Sequence, residues 1–336
     1  MSKRKAPSDN VNSDITDMLI ELANYEKNVA RNGHKSNVYR KAAAAIAARK
    51  SRIANGEEAK KIPGVGEKIA KKIDELLSTG SLEKLNKIRA DHTNATINSL
   101  TRVMGIGPAA AHKFVNEDKI SSINDLHKIK DKLNKQQKLG LKYFQEFEQR
   151  IPRNEVDLIN ELVQKSVKCL DEKYRAKICG SYRRGMPSSG DVDFLITHSN
   201  FATRDPKSTY LKDVVDKLCA CSFITDVISQ GSFKFMGVCQ LPKQTKADEP
   251  YLHRRIDFLL VPIEEYFCAI LHFTGSDLFN KRMRAHASEK EFILNESTLR
   301  PIGSTGVPGK PVKIDSERDI FDYIDFPYCD PVDRKS

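Results

Sequence analysis

Two aspartates one residue apart close the stretch GSYRRGMPSSGDVDFL, Gly180 to Leu195, and a third stands in the apolar run HRRIDFLLVP. On a strand, alternate side chains share a face, so Asp191 and Asp193 point the same way while Val192 and Phe194 face a core. Two carboxylates on one exposed face repel each other unless a cation joins them. Mg2+ is the natural one, a hard ion held by one or two carboxylates together with substrate phosphates. If the strand that carries Asp257 pairs beside the first, three carboxylates converge. That is enough for a two-metal site acting on a phosphoryl group. One ion would lower the pKa of an attacking hydroxyl and the other would hold a triphosphate and its leaving pyrophosphate. The upstream residues fit the same chemistry. Gly180-Ser181 gives a tight turn with free amides, Arg183 and Arg184 can clamp phosphate oxygens, and Gly190 lets the backbone approach a phosphate closely. A lone Asp-x-Asp would be an ordinary salt-bridged strand end. The Gly-Ser turn, the arginines, the Asp pair and a later strand Asp together favour catalysis.

A second chemistry-bearing group is cationic. Lys68 and Lys72 stand four residues apart, on one face of the helix expected after Gly66, with Lys71 beside them and Lys35 and Lys84 as candidates to join in three dimensions. Such a cluster is a phosphate-binding surface. Crowded ammonium groups also disfavour one another's charge, so one lysine can act as an amine nucleophile and form a Schiff base with the aldehyde of an abasic sugar.

The form Gly-apolar-Gly occurs twice, at Gly64-Val65-Gly66 and Gly105-Ile106-Gly107, each time before a helical pattern. Glycines on both sides of one apolar residue let the chain turn tightly and expose amides at a helix start. That suits a phosphate, directly or through a monovalent cation. The two copies resemble helix-hairpin-helix motifs, which grip the DNA backbone without reading sequence. By that resemblance Na+ or K+ would lie on the carbonyls of Lys60, Ile62 and Val65 in one copy and of Thr101, Val103 and Ile106 in the other. Near the end, HFTGSDLFNKRMRAHASEK reads as an apolar strand end joined to a helix through Thr-Gly-Ser, with Ser276 as N-cap. Asp277, Asn280 and Arg284 then line one helix face, where Asn and Arg can probe minor-groove acceptors.

The elements that must position these groups fall into blocks. Residues 1–10 read as a disordered tail. Helical text runs from Ile15 to about Ser51, through KAAAAIAARK, to a break at Asn55-Gly56. A helix follows from about Glu67 to Leu77, stopped by Gly80. After Ala176 short β-branched and aromatic runs appear (AKICGS, DVDFLIT, FITDVI, FMGVCQL, RRIDFLLVP), with a helix at STYLKDVVDKL. The expected division is 11–90, an all-α domain; 91–150, a helical subdomain; 151–262, a mixed α/β unit; and 263–336, a small α/β segment.

The 336 residues carry a formal net charge of +11, and residues 1–90 hold 19 Lys+Arg against 11 Asp+Glu, so most of the excess lies there. A basic first domain points to a polyanion, with nucleic acid leading. No apolar run approaches a membrane span and MSKRKAPSDN lacks a signal-peptide core, so an intracellular protein is expected. The seven cysteines read as reduced thiols, mostly core filler, without zinc-ligand spacing.

Together KKIPGVGEKIAKKIDE, GIGPAAA, GSYRRG with SSGDVDF, HRRIDF and FTGSDLFNKRMRAHA resemble the X family of DNA polymerases, within the nucleotidyltransferase superfamily, over essentially the whole chain. The resemblance implies a monomeric base-excision-repair enzyme. It would fill a short gap in gapped or nicked DNA by template-directed addition of a deoxynucleotide, and it would remove the 5'-deoxyribose phosphate. It assigns 11–90 as the lyase domain, 91–150 as a DNA-binding subdomain, 151–262 as the catalytic palm and 263–336 as the nucleotide-selection subdomain. Asp191 and Asp193 would bind both Mg2+ ions, with Asp257 and Arg255 completing the catalytic set. Arg150, Ser181, Arg184 and Gly190 would hold the incoming triphosphate, Phe273 and Gly275 its sugar, Asp277 and Asn280 its base, and Arg284 the template minor groove. Lys72 would be the lyase nucleophile, with His34, Lys35, Tyr39, Lys68 and Lys84 around the 5'-phosphate, and Gly64, Gly66, Gly105 and Gly107 would meet the DNA backbone. A nuclear location and base-excision-repair partners follow from that task, MSKRKAP being a weak import signal at best.

The chain departs from the family pattern at four places. Leu259 stands where relatives have an arginine that helps gate the carboxylates, His272 and Ser297 stand for tyrosines, and Lys71 for a glutamate. Two rivals remain. A template-independent nucleotidyltransferase would share the triphosphate site, but the two hairpins favour DNA and no extra N-terminal interaction domain is expected. A non-catalytic DNA-binding scaffold would be expected to lack one of the three aspartates.

Overall fold

The computed structural model describes residues 10–243, 249–303 and 306–334, and the chain divides into two units, 1–144 and 145–336. Of the expected tail, residues 1–9 lie outside the described residues.

The first unit is helical: α1 (Ser13–Asn28), α2 (Gly33–Ala47), α3 (Gly56–Lys60), α4 (Glu67–Thr79), α5 (Glu83–Ala90), α6 (His92–Leu100), α7 (Pro108–Asn116), a 3-10 segment (Asn124–Lys132) and α8 (Lys135–Lys142). The single helical block expected from Ile15 to Ser51 is two helices. Arg31 takes a positive φ of 53°, and the Asn32 side chain accepts from the Lys35 amide, which starts α2 afresh. Packed against each other, α1 and α2 bury Leu19, Leu22, Ala43 and Ile46 with Ile69 and Ile73 of α4. Gly80, at φ 72°, ends α4 as a left-handed C-cap. Around the second hairpin, Ile97, Leu100, Val103, Phe114 and Leu126 form a separate core.

A short α9 (Phe144–Phe147) crosses the boundary between the units. The second unit then runs β1 (Ile151–Pro152), α10 (Arg153–Leu170), β2 (Tyr174–Ile178), α11 (Gly180–Arg183), β3 (Ser188–Ser189), β4 (Val192–His198), α12 (Tyr210–Ala220), β5 (Ile224–Gln230), β6 (Lys234–Cys239), β7 (Arg254–Leu260), α13 (Tyr266–Thr274), α14 (Asp277–Glu289), β8 (Phe292–Leu294), β9 (Leu299–Pro301) and α15 (Glu317–Tyr323). The main sheet has the order β2-β4-β7-β6-β5. Only β4 and β7 pair parallel, joined through the α12–β5–β6 excursion. One sheet face buries Phe194, Ile196, Phe235 and Phe258 under α10 and α12. Each such side chain contributes about 1.5–3 kcal/mol by leaving water. The other face is covered at Leu195 by Tyr266, Ala269 and Ile270 of α13. Strand alternation puts Asp193 and Asp257 on that second face, one step before Leu195 and Leu259.

Two expectations fail here. HFT is the end of helix α13, not a strand end; its run is buried nearly all round, with Cys268, Ala269, Ile270 and Leu271 at 5% exposure or less. The cysteines are all free, but only Cys179, Cys239 and Cys268 are buried, while Cys169, Cys219 and Cys221 are exposed.

Candidate active site

In the second unit, the parallel pairing of β4 and β7 sets Asp193 opposite Asp257, and Asp191 stands just before β4. Arg255 reaches two of the three: its Nη2 lies 3.4 Å from Asp191 Oδ2 and 3.3 Å from Asp257 Oδ2. Burial, then the charges of Asp191 and Asp257, push the Asp193 carboxyl up to about 7. Burial also raises Asp257, against the pull of Arg255. Asp257 Oδ1 is buried without a hydrogen-bond partner. Clustered carboxylates with raised pKa and an unsatisfied oxygen are a site short of positive charge. Hard oxygen donors of this kind fit a divalent cation such as Mg2+. Among the described residues, no three His, Cys, Asp or Glu groups close around one point as they stand. The Arg255 guanidinium lies between two of the carboxylates, so a metal would need their side chains to turn from it.

Gly180-Ser181 begins the short helix α11. Gly180 takes φ +58°, and a Cβ there would lie 3.0 Å from Asp193 Oδ2. The two arginines that follow separate. Arg183 is not a phosphate clamp: Nη1 donates to Thr274 Oγ1 at 2.6 Å, and the guanidinium forks onto Glu317 at 2.7 and 3.1 Å. Arg334 Nη1 reaches the same carboxylate at 2.6 Å. Burial opposes ionisation of Glu317, but its hydrogen bond from Arg183 and the charges of both arginines prevail and hold its carboxyl below the usual range. Arg184 Nη1 donates to the Thr274 carbonyl at 2.5 Å, and burial lowers its pKa against the charges of Asp277 and Asp193. Arg150 Nε donates to Ser188 Oγ at 2.7 Å, and Ser181 Oγ to Ser189 Oγ at 3.0 Å, so both line the loop that ends at Gly190.

Ser276 caps α14 by accepting from the Phe279 amide at 3.3 Å. Asp277 and Arg284 are exposed on that helix, but Asn280 is buried, its side-chain amide donating to the His272 carbonyl at 2.7 Å. His272, Asn280 and Arg284 line one small cleft with Cys268, Leu271 and Met283. Burial lowers the His272 pKa. Phe273 is exposed at the end of α13, and Gly275 follows at φ +69°. Leu259 is partly buried and packs against the cluster under α13. Ser297 is a half-buried bend residue whose amide donates to Asn295 Oδ1 at 2.9 Å.

In the first unit, Lys72 Nζ donates to the Lys68 carbonyl at 2.9 Å. Burial lowers its pKa, and Lys84 and Lys68 lower it further. Lys84 pairs at 3.0 Å with Glu26, only 3% exposed, and its ammonium lies 5.7 Å above the Tyr25 ring. Tyr39 is half-buried beside them, its hydroxyl raised by burial. The structure therefore brings Lys68, Lys72, Lys84 and Tyr39 together. His34 and Lys35 stand exposed on the first turn of α2. Glu26 and Tyr25 were missed by sequence reasoning. Their only sequence signal is their place at the end of α1, where Glu26 falls in the buried helix stripe. Lys71 points away, pairing with Glu67 at 3.6 Å.

The two hairpins have the same form. Gly64 and Gly105 take φ +90° and +83°, and Val65 and Ile106 amides bond back to Ile62 and Val103 carbonyls at 3.0 and 3.1 Å. Gly66 and Gly107 then start α4 and α7 without a side-chain cap. The Lys60 ammonium is held by Glu57 and Glu67 at 2.7 and 2.9 Å.

Comparison with known proteins covers the chain in four pieces. A helix-hairpin-helix domain matches residues 10–82, the fingers domain of DNA polymerase lambda 98–148, the DNA polymerase beta palm 150–263 and the DNA polymerase beta thumb 269–335. DNA polymerase lambda of Rattus norvegicus is 33% identical over 97% of this chain, and that of Arabidopsis thaliana 31% over 96%. The DNA-directed DNA/RNA polymerase mu of Homo sapiens is 25% identical over 96%. The chain spans only 56% and 62% of the two lambda relatives, and 68% of the mu relative. The matched palm and thumb models are named for DNA polymerase beta, whereas these curated relatives are named lambda and mu, so the likeness holds at the level of the family. With helix-hairpin-helix domain, fingers, palm and thumb in that order along it, the chain belongs to family X of the DNA polymerases.

Proposed function

We propose that the protein is a template-directed, gap-filling DNA polymerase of base-excision repair, organised like polymerase beta, with a 5'-deoxyribose-phosphate lyase in its first domain. The observation that carries the polymerase half is the register that sets Asp193 opposite Asp257 beside Asp191. These three would hold two Mg2+ ions, which when bound supply Lewis acidity to the primer 3'-hydroxyl and to the leaving pyrophosphate. Arg255 neutralises Asp191 and Asp257 until the metals arrive. Arg150, Ser181, Arg184 and Gly190 hold the triphosphate, with Phe273 and Gly275 against the sugar. Asn280 must leave the His272 carbonyl to reach a base edge beside Asp277, and Arg284 reads the template minor groove.

The lyase half rests on Lys72, whose amine is made more available by burial and by Lys84 and Lys68. Its Nζ attacks the sugar aldehyde and loses water to give the imine. Elimination then frees the 5'-phosphate of the DNA. Lys35, Lys68, Lys84, His34 and Tyr39 face the phosphate, and the buried Glu26 carboxylate is a proton acceptor at hand. The carbonyls of Lys60, Ile62 and Val65, and of Thr101, Val103 and Ile106, would hold Na+ or K+, which when bound would supply positive charge for backbone phosphates. Nuclear location and repair-protein partners go with this role.

The test is a one-nucleotide-gapped duplex with a 5'-deoxyribose phosphate, scored separately for insertion and sugar-phosphate release. Asp257→Ala and EDTA should abolish insertion alone, and Lys72→Ala should lower release alone. Binding without any templated insertion by the wild type would leave the scaffold as the better account.

A further inference from the structure

The two hairpins are alike in backbone but not in charge. Aligned by their glycines, Lys68, Lys71 and Lys72 of the first copy correspond to Ala109, His112 and Lys113 of the second. His112 is turned inward, its Nε2 3.0 Å from the Asn28 carbonyl. The helix after the second hairpin therefore lacks most of the cations that the first copy carries on its own helix.

Another element adjoins the second hairpin. The Asn134–Gln137 capping box starts α8, and Gln137 Nε2 donates back to the Gly105 carbonyl at 3.3 Å. A Cβ on Gly105 would lie 3.0 Å from the Gln137 amide nitrogen, and one on Gly140 would fall on the Met104 carbonyl, so α8 packs directly on the hairpin. Its sequence, KQQKLGLK, has no carboxylate. Lys135 and Lys138 are exposed at i and i+3, and Lys142 follows on the same face with its ammonium 4.5 Å from the Tyr143 ring. Neither Lys135 nor Lys138 is in an ion pair among the described residues. In the preceding 3-10 segment, by contrast, Lys128 pairs with Asp125 and Lys132 with Asp118.

We propose that Lys135 and Lys138 of α8 form a phosphate-binding edge for the second hairpin, contacting the backbone of duplex DNA beside the phosphate held at Gly105–Gly107. The α8 edge supplies, from a later helix of the same chain, cations of the kind that the first copy carries on its own helix. It rests on reading the hairpins as DNA-backbone grips. Contacts to phosphate alone carry no sequence information, so the edge adds affinity without specificity.

The experiment measures binding of the full chain to a one-nucleotide-gapped duplex over a series of KCl concentrations. Each phosphate contact contributes about 0.9 to the slope of log K against log salt. The Lys135→Gln/Lys138→Gln variant should flatten the slope by about 2, equally for duplexes of different sequence. Lys135→Arg/Lys138→Arg should restore the wild-type slope, which separates lost charge from lost folding. A wild-type slope in the glutamine variant overturns the proposal alone and leaves this face to a protein partner. A wild type whose DNA binding does not respond to salt overturns the hairpin reading and the α8 edge together.

Discussion

Asp193 and Asp257 stand opposite each other on neighbouring parallel strands, on a sheet face that α13 covers only from Leu195 onward. Burial of the ionised carboxylate, and then the charges of Asp191 and Asp257, push the Asp193 carboxyl up to about 7. A carboxyl whose folded pKa is raised binds its proton more tightly in the native state. Native stability therefore falls as pH rises from the ordinary carboxylate value of 3.8 toward about 7. Asp193→Asn removes that penalty. Thermal unfolding in EDTA should show the variant more stable than wild type at pH 8, with the gap shrinking as pH falls toward 4, while insertion is lost. Equal melting temperatures at pH 8 would mean that neither burial nor the neighbouring charges penalise the ionised form.

Glu317 between Arg183 and Arg334 is the opposite case. Removing the carboxylate leaves the buried Arg334 guanidinium and the partly buried one of Arg183 uncompensated, and breaking such a buried pair costs about 3–5 kcal/mol. Because the folded pKa of Glu317 lies below its ordinary 4.5, its contribution is complete above that value and is lost as pH falls through the folded pKa. Glu317→Gln should lower the melting temperature at pH 7, and the difference from wild type should narrow below pH 4.5. Because Arg183 leads directly into Arg184, insertion should weaken with it even though no residue of the carboxylate set is changed.

These two relationships mark where the sequence was readable and where it was not. Strand alternation was enough to put Asp193 on the face opposite Val192 and Phe194, and Gly80 to end α4, because both depend on neighbours in the chain. Arg183 was misread because its partner Glu317 lies 134 residues further on, and nothing local distinguishes it from Arg184. The strand expected at HFT failed because a short apolar run buried nearly all round has little period to reveal it as a helix. Asn280 looked like an outward probe by helix spacing alone; only the fold supplies the His272 carbonyl that holds it. Glu26 was missed because it lies in the apolar stripe of α1, where a carboxylate gives no pattern until Lys84 is brought to it.

Gly180 is a backbone test of the same site. Its φ of +58° is costly for any other residue, and a Cβ would crowd Asp193 Oδ2 at 3.0 Å. Gly180→Ala should lose about 1–3 kcal/mol of stability and most of the insertion activity, with sugar-phosphate release retained. Loss of both activities in a variant that is still folded would contradict the assignment of lyase chemistry to the first unit.

The lyase amine offers a direct reading of its surroundings. Lys72 is lowered from 10.5 by burial, then by Lys84, with Glu75 and Glu26 acting the other way. The neutral amine is the nucleophile, so borohydride trapping of the imine should rise with pH through a midpoint below that of an ordinary lysine. Lys84→Gln removes a nearby positive charge, so the midpoint should move to higher pH. Glu26→Gln removes a nearby negative charge and leaves Lys84 unpaired, so the midpoint should move to lower pH. The two shifts must have opposite signs if electrostatics tune Lys72. A common direction would show that both substitutions act by loosening the α1–α2 packing around the amine rather than through charge.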